Sequence, residues 1–181
     1  MYSPAVFAPL GSVADHAAIL ANRERRADAQ RALIGAWGCP VISFSLNIPG
    51  PGRDSEAAER CFASGLAALE EARAVSGMAL CERVLYRAAT GPEALLCVRG
   101  EAAALKRAML AVEETHPLGR LFDLDVLTAD AAPFGRAAFG LGPRRCLVCE
   151  RPAAECRRAG RHSLEALYEA ISALLRRVRP E

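Results

Sequence analysis

The stretch His116-Pro-Leu-Gly-Arg-Leu-Phe-Asp-Leu-Asp-Val-Leu127 has a two-residue alternation that predicts a β-strand from Arg120 onward. One face of this strand carries Phe122, Leu124 and Val126, and the other carries Leu121, Asp123, Asp125 and Leu127. The two carboxylates therefore point the same way, with Cα atoms roughly 6.5 Å apart. Since Mg²⁺ is usually held by one or two carboxylates while substrate phosphates complete its shell, the pair indicates a phosphoryl-transfer site. The alternative is an edge strand whose solvent face carries two charges.

Composition limits the classes of protein that fit. The 181 residues are 52% hydrophobic and 24% charged, as expected for a soluble globular chain with a sizeable core. A net charge of +2 gives no general affinity for polyanions such as nucleic acids. We find neither a long apolar run nor a signal-peptide pattern, so no membrane association is expected. The seven cysteines, an odd number, predict a reduced, cytoplasmic protein.

We treat the chain as a single domain in three parts. Residues 1–40 form an N-terminal helical arm, residues 41–142 a catalytic core, and residues 143–181 a Cys- and Arg-rich segment with a C-terminal helix. In the arm, Ser12 or Asp15 suits the N-cap of a helix that runs to about Ala36 and is polar between Arg23 and Arg31.

A loop with two prolines and two glycines follows the first predicted strand, Val41–Ile48. The loop, Pro49-Gly-Pro-Gly-Arg-Asp-Ser55, leads directly into a helix. Backbone N–H groups and the positive end of the helix dipole would both face a phosphate placed there. The loop lacks the Gly-Lys-Ser/Thr ending of a Walker motif. A tight turn capped by Ser55 explains the same residues, so both interpretations stay open.

The core has a recognisable order of elements. Further helices are predicted at Ser55 to about Val75 and at Glu101–Thr115, and strands at Met78–Arg87, Ala94–Arg99 and Ala137–Leu141. Up to the Asp strand, the order is strand–helix–strand–strand–helix–strand, which is typical of an α+β, ferredoxin-like fold with an antiparallel sheet.

That topology places the Asp strand beside the first strand. We therefore expect Asn47, the loop and Arg53 near His116, Arg120 and Asp123. The turn at Thr90–Glu93, between the middle strands, is expected at the opposite end of the sheet.

The last third is rich in cysteine and arginine. The spacing Cys146-x2-Cys149-x6-Cys156-x5-His162 predicts a structural zinc site, although it matches no common zinc finger. The alternative is a reduced, loop-rich cap held by packing. Ser163 then suits the N-cap of a helix that runs to about Arg179.

Several of these stretches together resemble the apo-citrate lyase phosphoribosyl-dephospho-CoA transferases (CitX family). The matching blocks are Val41-Ile-Ser-Phe-Ser, Pro49-Gly-Pro, Asp54-Ser55, Gly91-Pro-Glu93, His116–Leu127, and Pro143-Arg-Arg-Cys-Leu-Val-Cys149 with Cys156 and His162. The resemblance spans roughly residues 20 to 175. The family tends to have Lys where Arg53 stands, and an arginine presents a planar fork instead of a point charge.

The resemblance implies a reaction. The donor would be 2'-(5''-triphosphoribosyl)-3'-dephospho-CoA, the acceptor a serine on the acyl-carrier (gamma) subunit of citrate lyase, and the leaving group pyrophosphate. The catalytic candidates are Asp123 and Asp125 with Mg²⁺, Arg120 for charge stabilisation and His116 as general base, although an unseen carboxylate is an alternative base. The substrate-binding candidates are Asn47, Pro49, Gly50, Pro51, Arg53, Ser55, Gly91 and Glu93. Two other functions stay open: a zinc-dependent nucleic-acid binder and a non-catalytic accessory protein.

Overall fold

The computed structural model describes residues 7–9 and 13–178. In chain order its elements are α1 (His16–Trp37), β1 (Val41–Leu46), α2 (Glu56–Val75), β2 (Ala79–Tyr86), β3 (Glu93–Arg99), α3 (Ala102–Thr115), β4 (Phe122–Leu127), α4 (Ala153–Arg158) and α5 (Leu164–Leu175). The predicted α+β class is confirmed.

The four strands form one antiparallel sheet in the order β2-β3-β1-β4. The strand with the two aspartates pairs with β1 as predicted, and Leu46 at the end of β1 lies opposite Phe122 at the start of β4. Just beyond, the N–H of Asn47 donates to the carbonyl of Leu121.

One prediction about the sheet is wrong. Ala94 pairs with Phe44, so β3 begins where β1 ends. The Thr90–Glu93 turn therefore lies at the same end of the sheet as the start of β4, not at the opposite end. The pairing of β4 with β1 was predicted correctly, but the end of the sheet at which the β2–β3 turn lies was not.

The two faces of the sheet differ in what covers them. On the first, which we call the core face, α2 and α3 pack on Ile42, Phe44, Leu96 and Leu124. Aromatic stacking of Phe44 on Phe62, with ring centroids 4.9 Å apart, joins the sheet to α2 on this side.

The opposite face, which we call the α1 face, is apolar at one end only. There Leu33 and Ile34 of α1 pack on Val41, Leu95 and Cys97. Toward the other end of this face, the side chains of the strands become polar. A cavity lies at that end.

Strand β4 is an edge strand, and buried side chains satisfy its outer backbone groups. Lys106 Nζ donates to the carbonyl of Leu124 at 2.7 Å, and the N–H of Leu124 donates to Glu113 Oε1 at 2.9 Å. Arg144 Nη1 donates to the carbonyl of Phe122 at 2.6 Å. These contacts take up groups that an exposed edge would offer to another strand.

The remaining elements include departures from the sequence-based expectation. The strand predicted at Ala137–Leu141 is wrong, because Arg136–Phe139 forms a turn of 3₁₀ helix that ends at Gly140 with φ +69°. Helix α4 was not predicted. Asp15 caps α1 and Ser163 caps α5, whereas the alternative cap Ser12 lies outside the described residues. The predicted end of the last helix, at about Arg179, is too late, because α5 ends at Leu175 and residues 176–178 form a turn.

Candidate active site

A cavity of about 800 Å³ lies at the polar end of the α1 face. Its volume is within the usual range of small-molecule sites. The cavity is enclosed by α1, the loop after β1, the β2–β3 turn, the start of β4 and the Cys-containing segment. Of the residues predicted for catalysis or substrate binding, seven line it: Asn47, Pro49, Arg53, Gly91, Glu93, Arg120 and Asp123.

The two aspartates lie on the same side of β4, as their spacing predicted. Asp123 is opposite Ser45 and Asp125 is opposite Ser43. Asp123 is half-buried and lines the cavity, whereas Asp125 is exposed and outside the lining. Burial raises the pKa of Asp123, and the nearby charge of Asp125 raises it further. A divalent cation between the two carboxylates would relieve that repulsion.

Hydrogen bonds to Tyr168 of α5 fix the loop after β1. The N–H of Gly52 donates to the hydroxyl of Tyr168, which in turn donates to the carbonyl of Pro49, both at 2.9 Å. A Cβ on Gly52 would lie 2.7 Å from that hydroxyl, so only glycine fits. Ser55 is fully buried and caps α2 through the N–H of Ala58. These contacts are those of the capped turn.

As a result, the loop does not present its backbone to the cavity as a phosphate-binding loop would. The N–H of Gly52 is already bonded, and Gly50, Pro51 and Ser55 do not line the cavity. Arg53 is the polar side chain that the loop contributes, and its Nε donates to the carbonyl of Ile48 at 3.2 Å.

The β2–β3 turn touches this loop directly. Gly91 has φ +99°, and a Cβ there would lie 2.8 Å from the carbonyl oxygen of Arg53. Two residues further, the buried carboxylate of Glu93 accepts hydrogen bonds from Asn22, Arg25 and Arg26 of α1. This part of the Gly91-Pro-Glu93 block therefore anchors α1 over the cavity.

Two arginines connect the start of β4 to the Cys-containing segment. Arg120 Nη2 donates to the carbonyls of Arg145 and Cys146, at 2.6 and 3.1 Å. Arg144 pairs with the buried Glu113 and lies 3.8 Å from Asp123 Oδ1. Arg144 thus connects the cavity to the outer edge of β4, where it donates to the carbonyl of Phe122.

His116 lies on the core face, away from the residues that line the cavity. Its ring lies 4.9 Å from the ring of Phe122, and its Nδ1 accepts the N–H of Leu118 at 3.0 Å. Its Nε2 is 3.3 Å from Ser64 Oγ. Burial lowers its pKa. These contacts support the end of α3 and do not bring the ring to Asp123.

The Cys and His residues predicted to bind zinc do come together. The ligand atoms of Cys146, Cys149, Cys156 and His162 all lie within 4.8 Å of one another. Cys149 Sγ is 3.5 Å from Cys156 Sγ and 3.4 Å from His162 Nε2. Around tetrahedral Zn²⁺, neighbouring S and N ligands are about 3.5 to 3.8 Å apart. The cluster can therefore hold a metal ion, and three of its members also line the cavity.

Some residues of the cavity were not predicted as site residues. Arg144 lies in the matching block Pro143–Cys149, and that position was the available signal for it. Arg26 lies in the polar middle of α1, and nothing in the sequence distinguished it. The cavity is strongly basic, with Glu93 and Asp123 opposed by Arg23, Arg26, Arg53, Arg120, Arg144, Arg145 and Arg157. Such a lining favours a ligand with several negative charges.

Comparison with known proteins identifies the family. The family model described as apo-citrate lyase phosphoribosyl-dephospho-CoA transferase (CitX) matches residues 15–178. A protein of that name from Escherichia coli O6:K15:H31 is 40% identical over 157 residues, which cover 87% of this chain and 86% of the relative. Another of the same name, from Shigella boydii serotype 18, is 39% identical over the same shares. Among the described residues, no helix is long and apolar enough to cross a membrane. The chain belongs to the apo-citrate lyase phosphoribosyl-dephospho-CoA transferase family.

Proposed function

We propose that this protein transfers the phosphoribosyl-dephospho-CoA group to a serine of the acyl-carrier (gamma) subunit of citrate lyase. The donor is 2'-(5''-triphosphoribosyl)-3'-dephospho-CoA, and pyrophosphate is released. The observation that carries this proposal is the family match over residues 15–178. The basic cavity around Asp123 supports it, because the donor brings a triphosphate.

The reaction is a nucleotidyl-type transfer. The serine oxygen attacks the phosphorus attached to the ribose, a new P–O bond forms, and the bond to the leaving pyrophosphate breaks. The serine proton passes to a base, and negative charge develops on the pyrophosphate. Fixed positive groups that contact this charge lower the barrier, because they need no reorganisation as the charge appears.

We assign Asp123 and Asp125 to a Mg²⁺ ion that accompanies the triphosphate. Carboxylate oxygens are the ligands that Mg²⁺ prefers, and the shared face of the two residues fits this role. When bound, Mg²⁺ would neutralise charge on the phosphates. Asp123 would contribute from inside the cavity, and Asp125 from its exposed rim.

Arg53 and Arg120 are assigned to the phosphates of the donor, with Asn47 and the Gly91 turn shaping the wall beside them. His116 was predicted as the general base, but its contacts with Leu118 and Phe122 favour a structural role.

We assign a structural Zn²⁺ to Cys146, Cys149, Cys156 and His162. Three thiolates and one imidazole are a donor set typical of structural zinc. When bound, the ion would fix the Cys-containing wall of the cavity. Arg120, which donates to the carbonyl of Cys146, would then be held against a rigid segment.

The acyl-carrier subunit is proposed to dock near this segment. Arg145, Arg151, Arg157, Arg158 and Arg161 are exposed there. Acyl carriers typically have an acidic surface, which such a group of charges complements.

The finer description of the fold also stays a proposal. Sheet order β2-β3-β1-β4 and the sequence of elements support a ferredoxin-like core within residues 41–142. The division into an arm, a core and a Cys-rich segment is proposed with it. A cytoplasmic location stays a prediction from the cysteine content.

Mass spectrometry of the acyl-carrier subunit tests the function. The purified chain is incubated with the subunit, the donor and Mg²⁺, with a subunit carrying Ala in place of the acceptor serine as control. We expect the mass of one phosphoribosyl-dephospho-CoA group on the first subunit and none on the second. Transfer only after addition of another protein would favour the accessory role. Absence of transfer together with salt-dependent nucleic-acid binding would favour the nucleic-acid alternative.

A further inference from the structure

We propose that Arg26 of α1 binds the polyphosphate of the donor, whereas its neighbour Arg25 only secures the helix. The inference rests on the proposed function, because it assigns a role toward the same substrate. It concerns two adjacent arginines that share one carboxylate but face different surroundings.

Both arginines bond to Glu93. Arg25 Nη2 lies 2.6 Å from Glu93 Oε2, and Arg26 Nη1 lies 2.7 Å from Glu93 Oε1. Their side chains are also exposed to a similar extent, 29% and 27%. One carboxylate therefore neutralises only one of two positive charges, and a net positive charge remains at this wall.

Arg25 contacts three other side chains of the protein, those of Asn22, Tyr86 and Glu93. Its guanidinium carbon lies 3.5 Å from the centroid of the Tyr86 ring, a cation–π contact. Its Nε donates to Asn22 Oδ1 at 3.0 Å, and it does not belong to the lining of the cavity. Its role is to fix α1 to β2 and to Glu93.

Arg26 lines the cavity. Within the described part of the chain, Glu93 is its single hydrogen-bond acceptor. A guanidinium has five N–H donors in a rigid fork, so most of those on Arg26 remain for a ligand. Because Glu93 already fixes the side chain, little conformational entropy is lost when a ligand binds.

The position of Arg26 relative to Asp123 indicates what the ligand is. Arg26 and Asp123 line the same cavity. Arg53 and Arg144 line that space as well. A linear polyphosphate near Asp123 can contact several such forks at once, and bidentate Arg–phosphate pairs are strong and specific.

Matched substitutions of the two arginines test the proposal, with inorganic pyrophosphate as the probe and calorimetric titration as the first readout. Arg26→Ala should weaken pyrophosphate binding by about tenfold to a hundredfold, the scale of lost hydrogen bonds to a charged group. The KM for the donor should rise by a similar factor, and the KM for the acyl-carrier subunit should stay unchanged. Arg25→Ala should change pyrophosphate affinity by less than about threefold while it lowers the melting temperature more than Arg26→Ala does.

Arg26→Gln, which keeps a donor for Glu93 without the charge, serves if Arg26→Ala does not fold, and we expect the same weakening. Unchanged pyrophosphate affinity in the folded Arg26 variant would overturn the proposal. Equal weakening by Arg25→Ala would also overturn it, because the effect would then come from the shape of the wall. A wild-type chain that shows no pyrophosphate binding at millimolar concentration would have the same consequence. A wild-type chain that binds pyrophosphate but transfers nothing to the acyl carrier would instead refute the proposed function.

Discussion

Strand β4 is built differently on its two sides. Toward the core face, Phe122, Leu124 and Val126 are completely buried and pack among the side chains of α2 and α3. Toward the α1 face, Asp123 and Asp125 stand beside the serines of β1, one in the cavity and one exposed. The residues of this six-residue strand thus alternate between the buried core face and the α1 face.

This difference teaches that stability and function can be separated along a single strand. Side chains of the core face contribute through burial of apolar area. Those of the α1 face include the two carboxylates that we propose as ligands of Mg²⁺. Substitutions on the two faces should therefore change different measurements, and the following experiments test whether they do.

The largest effect is expected at Asp123. Asp123→Asn should lower kcat/KM for transfer by about 10²-fold or more, because a ligand of the proposed Mg²⁺ is lost, while the melting temperature stays near that of the wild type. Asp125→Asn should lower it by a smaller factor. Asp130→Asn, in the exposed loop after β4, is the control and should have no effect. Near-normal turnover of the Asp123 variant at limiting Mg²⁺ would remove the metal assignment.

At Leu124, the residue after Asp123, substitution should lower stability and leave transfer nearly unchanged. Leu124→Ala should lower the free energy of unfolding by about 3 to 4 kcal/mol, because it leaves a cavity in the core. Transfer per folded molecule should stay close to normal. Val75→Ala, at a side chain that is 82% exposed, is the control and should change little. Denaturant titration measures the loss of stability, and transfer is assayed well below the midpoint of unfolding. A large loss of transfer there would show that stability and function are not separated at Leu124.

The proposed zinc site borders the cavity on the α1 face. The purified protein should contain about one Zn²⁺ per chain, and chelation should lower its melting temperature by several degrees, since bound metal stabilises the folded state. Cys149→Ala should lose the metal, whereas Cys81→Ala, outside the cluster, should keep it. Metal analysis that finds none, with all seven thiols titrating freely in folded protein, would reject the assignment.

His116 gives the smallest effect, and it belongs to the core face. Burial lowers its pKa from 6.5, so below that pH the unfolded chain binds the proton more readily than the folded chain. Stability should therefore decline as pH falls below about 6.5 and level off below the folded pKa. His116→Asn should reduce this decline, His16→Asn on the exposed start of α1 should not, and transfer should persist in both. Loss of transfer in His116→Asn would instead restore the histidine as a candidate base.

How much the sequence revealed depended on the range of the interactions. Periodicity located β1, β4 and the described helices other than α4, because apolar spacing reflects which face is buried. It failed at Ala137–Leu141, where an apolar run too short for either period became a 3₁₀ turn. Local motifs pointed to Asp123, which lines the cavity, and to the Cys and His residues, which come together. Arg26 could not be found in this way, because its proposed role depends on Glu93, 67 residues away.

The contact of Lys106 with Leu124 has a practical consequence. Lys106 is the single lysine of the chain, and its ammonium group is buried at the outer edge of β4. Burial lowers the pKa of Lys106, which favours the neutral amine that acylating reagents attack. Such a reagent can nevertheless reach the amine only when this edge opens. The rate at which such a reagent labels Lys106 therefore reports the opening of β4 at one defined atom. If donor binding slows the labelling of Lys106, the edge of the strand that carries Asp123 opens less often when the donor is bound.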